Sequence, residues 1–597
     1  MQALVISVRA QVGQAVAAGQ TLVILEAMKM EHIVSAEQSG VVKEVLVQPQ
    51  GMVAAGDPLL LLDRAERLVQ KRETEREADR ETGQETPLDV IRPDLAEVNA
   101  RHAFGLDENR PKAVAKRRKT GQRTARENIA DLIDDGTFVE YGALVIAAQR
   151  RRRSVEDLIR RTPADGMVAG IGCVNGERFG EARAQCAVLS YDYTVLAGTQ
   201  GTMNHLKKDR MFELAEQRGL PVVLFSEGGG GRPGDTDYAI VAGLDCRAFQ
   251  YFAALSGKVP LVGVNSGRCF AGNAALLGCC DVVIATKASN IGMGGPAMIE
   301  GGGLGVFAPE EIGPSASQYG NGVIDVLVED DAAAVAAAKK YLSYFQGALA
   351  DWDAADQHLL RAAIPQNRLR VYDVRKVVDT LMDTDSVLEL TAGFGAGMVT
   401  ALGRVEGKPV GIVANNPMHL GGAIDAEGAD KASRFMQLCS TYDIPLVFLC
   451  DTPGFMVGPE AEETGLVRRA ARLFTTGASL KVPFCTIVLR KGYGLGAQSM
   501  AGGSFKAPAF TISWPTGEFG GMGLEGAVKL GFRKELEAIS DPEARENMFQ
   551  QMVQQLYEHG KAINMAEHFE IDAVIDPLES RRWILSAIGQ PQPSSEA

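Results

Sequence analysis

Two kinds of residue in this 597-residue chain have types and spacing that can do chemistry. One is Lys29, set between Met28 and Met30 where turn chemistry would favour Asn, Asp or Gly. The other is a pair of small-residue steps that open apolar stretches after buried runs. Gly272-Asn273 precedes Ala274-Ala275-Leu276-Leu277, and Gly496-Ala497 precedes Gln498-Ser499-Met500-Ala501. Small residues let a ligand oxygen reach two backbone N–H groups, which is how an oxyanion hole is built. Phosphate cradles, tight turns and simple packing use Gly-rich loops too, so the steps gain meaning only from their duplication. Other chemistries find no support. The seven histidines show neither metal-ligand spacing nor a Ser-His-Asp order, and only His205 and His419 lie near Gly-rich stretches. The nine cysteines lack regular spacing, and Cys279-Cys280 sits in an apolar run, which reads as buried free thiols in a reducing cytosol.

The elements that position Lys29 are legible as a repeat. Val16-Ala17-Ala18-Gly19 recurs 37 residues later as Val53-Ala54-Ala55-Gly56. Around the two copies Val5 matches Val42, Val8 matches Val45, Leu22 matches Leu59 and Leu25 matches Leu62. Each copy reads as short strands joined by a Gly turn, and two such units close into a small flattened barrel by covering each other's apolar faces. By that symmetry Glu26 to Glu31 is a hairpin tip, with Lys29 projecting into solvent. After Asp63 the chain turns to Arg, Glu, Gln and Thr, and reads as a solvated, partly helical tether. About 30 residues reach on the order of 100 Å extended or about 45 Å as helix.

The rest of the chain reads as a second, larger duplication. Gly166 to Gly176 parallels Gly397 to Gly407, Leu220-Pro221-Val222 parallels Ile444-Pro445-Leu446, and Val259-Pro260-Leu261 parallels Val482-Pro483-Phe484. The last two pairs are 224 and 223 residues apart. In each half, apolar β-rich runs end in Gly-rich loops and lead into helix-like segments such as Lys207 to Arg218 and Ala429 to Thr441. That order predicts layered α/β structure with ligands beyond the strand C-termini. Four loops fit that place: 226–234, 266–273, 451–458 and 491–497.

Lys+Arg 61 against Asp+Glu 75 leaves a net charge of −14, which disfavours nucleic acid as a partner. No run of 18 or more uninterrupted apolar residues predicts a membrane span, and Arg9 interrupts any signal-peptide core; the protein is read as cytoplasmic.

Ala27-Met28-Lys29-Met30, with the repeat around it, resembles the biotinyl carrier domain, and the resemblance implies covalent biotin on Lys29. The usual first strand of that domain is shortened or missing ahead of Met1, which leaves the barrel open at an edge or the start upstream. Gln122 to Glu127, Arg404 to Asn416, Asp451-Thr452-Pro453-Gly454-Phe455 and Glu518 to Ala527 resemble the carboxyltransferase component of acyl-CoA carboxylases. This second resemblance covers residues 95 to 585. It implies two crotonase-like (ClpP/crotonase) α/β domains, a ring of six transferase subunits, and an active site between the N-domain of one subunit and the C-domain of another. The expected organisation is a carrier at 1–64, a charged linker at 65–94, an N-domain at 95–345 and a C-domain at 346–590. In that family carboxybiotin releases CO2, the biotin ureido anion takes the α-proton of an acyl-CoA, and the enolate attacks CO2. Gly272 with Asn273 and Gly496 with Ala497 are then the donors for the two oxyanions, in either assignment. Asp451, Gly454, Phe455 and the segment from Glu518 to Gly523 are expected on the biotin side. Arg123, Thr124 and Arg126 are expected near the CoA moiety, as arginines suit its phosphates, or else form a helix-start cluster.

Three departures from the short-chain enzymes imply a roomier acyl pocket. Tyr493-Gly494-Leu495-Gly496-Ala497 is one residue longer than their pattern. Gln498 and Ser499 stand where those enzymes often place an aromatic and an acid, and Asn273 replaces a glycine. The chain is in this respect more similar to the transferase part of multidomain long-chain acyl-CoA carboxylases. No stretch reads as an ATP-grasp biotin carboxylase. A separate biotin carboxylase subunit, carrying the ATP and Mg chemistry, is therefore expected, with a biotin protein ligase as transient partner. Two rival readings remain compatible with the carrier: a biotin-dependent acyl-CoA decarboxylase component and a biotinylated, non-catalytic scaffold. A hydratase or isomerase would need a free carboxylate, for which Glu227 and Glu518 are the loop candidates.

Overall fold

Alternating apolar residues and Gly turns fold the first 64 residues into short strands: β1 (Gln2–Val8), β2 (Ala15–Val16), β3 (Thr21–Ala27), β4 (Met30–Ser35), β5 (Gly40–Val45), β6 (Met52–Ala54) and β7 (Leu60–Arg64). They form two facing antiparallel sheets, β4-β3-β1-β6 and β2-β5-β7. Val5, Val16, Leu22, Val42 and Val53 are buried between the sheets, with Val8, Leu25, Val45, Leu59 and Leu62 packed against them. Every apolar pair of the 37-residue repeat thus contributes one member from each half to a single core. Gly19 and Gly56 occupy equivalent turns at φ of 87° and 101°, where a side chain would be strained. Within the repeat β7 is the counterpart of β3. β3 has neighbours on both sides, whereas β7 pairs only with β5 among the described residues. β7 is thus an outer strand of its sheet among the described residues.

The structure is a computed structural model that describes residues 2–64, 91–238 and 242–589. The chain divides into two units, Met1–Ala96 and Glu97–Ala597. Most of the tether expected at 65–94, its helix-forming run included, lies outside the described residues.

The second unit contains two sheets of matching order. The first comprises β8 (Val139–Glu140), β9 (Met167–Cys173), β10 (Gln185–Tyr191), β11 (Val222–Phe225), β12 (Leu261–Asn265), β14 (Val282–Thr286) and β16 (Val326–Val328), while β13 (Arg268–Phe270) pairs with β15 (Asn290–Gly292). The second comprises β17 (Leu388–Leu390), β18 (Met398–Val405), β19 (Lys408–Asn415), β20 (Leu446–Thr452), β21 (Phe484–Tyr493), β22 (Thr511–Ser513) and β24 (Ala573–Val574), with β23 (Glu518–Gly520) on the end of β21. Both run in chain order along the sheet, antiparallel over the first three strands and parallel thereafter. The central parallel strands are buried on both faces and mostly apolar, as Val222–Phe225 and the first five residues of Leu446–Thr452 show.

The anticipated helices start earlier than their apolar runs suggested, at Thr202–Arg218 and Ala426–Thr441. In the second, the Asp425 side chain accepts from the Gly428 N–H and sets the start. The two halves share one core, in which Val188, Val262 and Ile284 pack in the same cluster as Val413, Phe435 and Phe448. Tyr442 ties them by donating to Asp281 at 2.7 Å. All nine cysteines are free; seven are buried, Cys246 is half-buried and Cys279 is exposed.

Candidate active site

Lys29 sits on a two-residue turn. Ala27 and Met30 are the last paired residues of β3 and β4, so Met28 and Lys29 are the tip, at φ of 55° and 67°. Two positive φ values define the type I′ turn that suits the twist of a tight hairpin, normally built from Asn-Gly. Here two bulky L-residues occupy it, a local strain of the kind stored at functional sites. Met28 is 80% exposed and Met30 60%, with Lys29 exposed between them. Among the described residues nothing accepts from or ion-pairs with the Lys29 amine. An amine held away from its own domain, flanked by flexible apolar side chains, suits enzymatic modification.

In the second unit, corresponding loops converge at corresponding strand ends. Three-ten turns at Leu196–Gly198 and Leu420–Gly422 lie 224 residues apart. A Cβ at Gly198 would strike the carbonyl oxygen of Glu227, and one at Gly422 that of Asp451. Gln200 bridges Gly231 in parallel, and Ile424 bridges Phe455 likewise. Each time the loop after the third strand is pressed onto the end of the fourth strand and the loop that follows it.

The first nest is built on the helix Gly272–Gly278. Gly272 and Asn273 are its first two residues, so their N–H groups have no intrahelical acceptor, and no described residue supplies one. The preceding Ala271 holds φ 54° and ψ −125°, a strained turn that aims the helix start outward. The Asn273 side chain faces inward and is fully buried. Its Oδ1 accepts from the Gly230 N–H at 3.1 Å, and its Nδ2 donates to the carbonyls of Glu227 and Gly198 at 3.0 and 3.2 Å. The amide that replaces a glycine here therefore staples three loops and leaves its backbone N–H available.

The second nest lies on the helix Gly494–Ser499, which begins two residues ahead of Gly496. Gly496 is in the first turn, and Ala497 stands where first-turn N–H groups give way to the helical ladder. A Cβ at Gly496 would lie 2.7 Å from Gly454 Cα and 3.3 Å from Phe455 N, so only glycine allows this approach. Gly454 itself has φ 124°, and its N–H donates to Thr452 Oγ1 at 3.1 Å. The structure thus brings Gly454 and Phe455 against Gly496 and Ala497. Ser499 is buried, and its hydroxyl donates back to the Gly496 carbonyl at 2.7 Å, while Gln498 is exposed.

Several expected contact residues are occupied in structural roles. Asp451 is fully buried. It accepts from Tyr372 at 2.8 Å and the Lys491 N–H at 3.0 Å, and pairs with Arg490 at 3.0 Å. Its carboxylate anchors the strand ends through these partners. Arg123 bonds Asp131 at 2.5 Å, and Arg126 forks onto Glu140 at 3.0 and 3.1 Å. Thr124 completes a capping box with Glu127. All three side chains thus have partners within the chain at this helix start. Sequence reading missed Arg117, which is buried and bidentate with Glu227 at 2.8 and 2.6 Å. Burial pushes the Glu227 carboxyl up while Arg117 pulls it down. Glu518, also buried, pairs with Arg368 at 2.7 Å. Both carboxylates that a hydratase would need are thereby tied up. Among the described residues no group of three or more His, Cys, Asp or Glu is placed to hold a metal.

A duplicated α/β unit with a small-residue helix start in each half, preceded by a strand barrel with a lysine at a hairpin tip, fits a carrier joined to an acyl-transfer enzyme. Residues 116–590 match the carboxyl transferase domain and residues 1–62 the biotin-requiring enzyme domain, so the chain belongs to the carboxyl transferase family and fuses a biotin carrier to a carboxyltransferase. It is 33% identical over 494 residues to the methylmalonyl-CoA carboxyltransferase 12S subunit of Propionibacterium freudenreichii subsp. shermanii, covering 80% of this chain and 90% of that one. It is 33% identical to the biotin-dependent long chain acyl-coenzyme A carboxylase beta4 subunit of Mycobacterium tuberculosis, covering 82% of this chain and 92% of that subunit. A solved single-chain, multi-domain long-chain acyl-CoA carboxylase is 56% identical with a TM-score of 0.81; the match covers 98% of this chain, which spans only 55% of that protein's length. The two crotonase-like halves and the strand-built carrier are as the motifs implied.

Proposed function

We propose that this chain is the carrier-plus-carboxyltransferase part of a biotin-dependent acyl-CoA carboxylase, moving a carboxyl group to the α-carbon, or its vinylogous equivalent, of an acyl-CoA. Biotin on Lys29 would supply the activated carboxyl group and, after its release, the base for the α-proton. The chain's own residues hold charge. Gly272 and Asn273 offer N–H groups to one developing oxyanion, Gly496 and Ala497 to the other. Such preorganised donors act most strongly where water is excluded. No side-chain base is called for, which agrees with Glu227 and Glu518 both being neutralised by arginines.

The observation that carries this reading is the pair of small-residue steps in corresponding helix starts of the two halves, one pressed against backbone at Gly454 and the other lying against the side-chain ends of Phe249 and Gln200. A complete site would take nests from two copies, in keeping with a hexamer of transferase subunits; the related transcarboxylase 12S, which the chain matches at a TM-score of 0.71 and 29% identity, forms a hexamer. A separate biotin carboxylase subunit would recharge the carrier with ATP and Mg, a biotin protein ligase would attach the cofactor, and the cytoplasm would house the assembly. Gln498, exposed beyond the second nest, and the extra residue in its loop favour long acyl chains over acetyl or propionyl groups.

The test is a streptavidin blot of the purified chain followed by bicarbonate fixation onto acetyl-, propionyl-, methylcrotonyl- and long-chain acyl-CoA. Activity should need the added biotin carboxylase subunit and favour the long chains. ATP-dependent carboxylation by this chain alone would refute the division of labour.

A further inference from the structure

Behind the first nest lies a buried polar chain with no counterpart in the second half. Gln200 is 4% exposed and lies against the nest: a Cβ on Gly272 would sit 3.1 Å from Gln200 Oε1. Its Nε2 donates to the Tyr191 hydroxyl at 3.0 Å, while Oε1 has no donor among the described residues. On the far side of the same hydroxyl, 2.9 Å away, is Lys208 Nζ. Lys208 is fully buried, with its ammonium 5.4 Å from the Tyr191 ring centroid and no carboxylate within 4.0 Å among the described residues. Its helix also carries Met211 and Phe212, which are buried in one apolar cluster with Tyr191 and Phe252. An unpaired lysine is costly in such surroundings, and a leucine would fill the volume without the cost. At the equivalent place in the other half Ala432 is buried, and at that of Gln200 stands Ile424.

We propose that Lys208 is a positioning residue, which through the Tyr191 hydroxyl fixes the Gln200 amide against the Gly272–Asn273 nest and so sets the polarity presented to the oxyanion bound there. This rests on the carboxyltransferase reading. The hydroxyl has one proton and two lone pairs. With Lys208 neutral, Tyr191 O–H donates to Nζ, Gln200 Nε2 donates to Tyr191, and Oε1 faces the nest. With Lys208 charged, Nζ donates to Tyr191, whose proton then turns to the Gln200 Oε1. The amide rotates and offers its Nε2–H to the nest as an added donor. The groups facing Lys208 are Tyr191 from β10, Cys246 from the loop before Ala248–Ala254, Asp165 from the turn before β9, and Asp209 and His205 from its own helix. Burial pushes Lys208 down to about 7, against the weaker opposing pull of Cys246, Asp209 and Asp165. Burial, with Lys208 and Arg232, pushes His205 down to about 3, so it stays neutral throughout the working range.

The test uses the biotinylated full chain with a biotin carboxylase subunit, measuring kcat and KM for acyl-CoA from pH 6 to 9. In the wild type kcat should be higher on the acid side of an inflection near pH 7. In Lys208→Met that inflection should vanish and acid-side kcat fall about tenfold, with KM within twofold. Tyr191→Phe keeps the ring and should do the same if Lys208→Met folds poorly. Gln200→Leu combined with Lys208→Met should be no worse than Gln200→Leu alone. An unchanged pH profile in Lys208→Met, or additive losses in the double variant, would overturn the proposal. If the wild type carboxylates nothing, the carboxylase reading fails by itself. A crystal structure of Lys208→Met then still decides the relay: Gln200 displaced from Tyr191 supports it, and Gln200 unmoved sinks it.

Discussion

Lys29 owes its reach to a turn that its own residues disfavour. A left-handed L-residue costs roughly 1–2 kcal/mol, so the hairpin keeps Met28 and Lys29 there because β3 and β4 are registered on either side. Lys29→Arg preserves length and charge but cannot carry an amide-linked biotin. It should lose the streptavidin signal and at least 99% of carboxylation, with the melting temperature within about 1 °C of wild type; substantial remaining activity would remove the carrier from the mechanism. The two nests differ in how they resist a methyl group. At Gly496 the added Cβ meets backbone at Gly454, which cannot step aside. At Gly272 it meets the ends of Phe249 and Gln200, the nearest at 3.0 Å, which can swing. Gly496→Ala should therefore lower both stability, by about 1–3 kcal/mol, and activity. Gly272→Ala should lower activity about tenfold or more while leaving thermal unfolding nearly unchanged. Equal stability losses in the two variants would contradict this account of the contacts.

At the scale of elements, the segment around Ala125–Leu132 shows how one motif can carry both a family mark and a local structural device. Gln122 to Glu127 marks the family, yet its Thr124 and Glu127 close a capping box and its arginines face Asp131 and Glu140. Thr124→Ala should cost about 1 kcal/mol of stability and leave the KM for acyl-CoA within twofold; a tenfold rise in KM would return these residues to the substrate site. Legibility followed periodicity. The β9 to β12 and β18 to β21 strands, being apolar on both faces, could be read directly, as could the Gly-rich loops at their ends. Helix starts such as Asp425 could not, because a cap is a single polar residue whose role depends on where the following turn already points. Arg117 was illegible for a related reason. It lies in a basic run that looks solvated, and only the fold carries it 110 residues down the chain to Glu227.

Across the whole molecule, the transferase halves are fused by a common core and several ionisable groups are trapped within it. Lys207 and Lys431 are each pushed down to about 8 by burial, and Lys208 to about 7. A lysine lowered in the folded state binds fewer protons there than in the unfolded chain, where its value is about 10.4. Stability must then rise with pH above these lowered values. The buried thiols, raised by burial, act in the opposite sense only above their unfolded value of about 8.5. The melting temperature should therefore climb between pH 6.5 and 8.5, and Lys431→Met should flatten part of that climb; a fall over this window would refute the assignment. What the chain's order of residues determined unaided was everything carried by repetition and local pattern: two duplications, a lysine between methionines at a tip, paired small-residue steps, and the α/β layering. Those follow from which residues can bury, turn or leave an N–H exposed, and such preferences act over a few positions. Tertiary structure alone decided which charges face ligand and which face each other. Asp451, Glu227 and Glu518 read as loop carboxylates, yet each is neutralised by an arginine 39 to 150 residues away in sequence. Pairing at such distances is set by how sheets and loops stack, and that stacking decides whether a carboxylate is free or already paired.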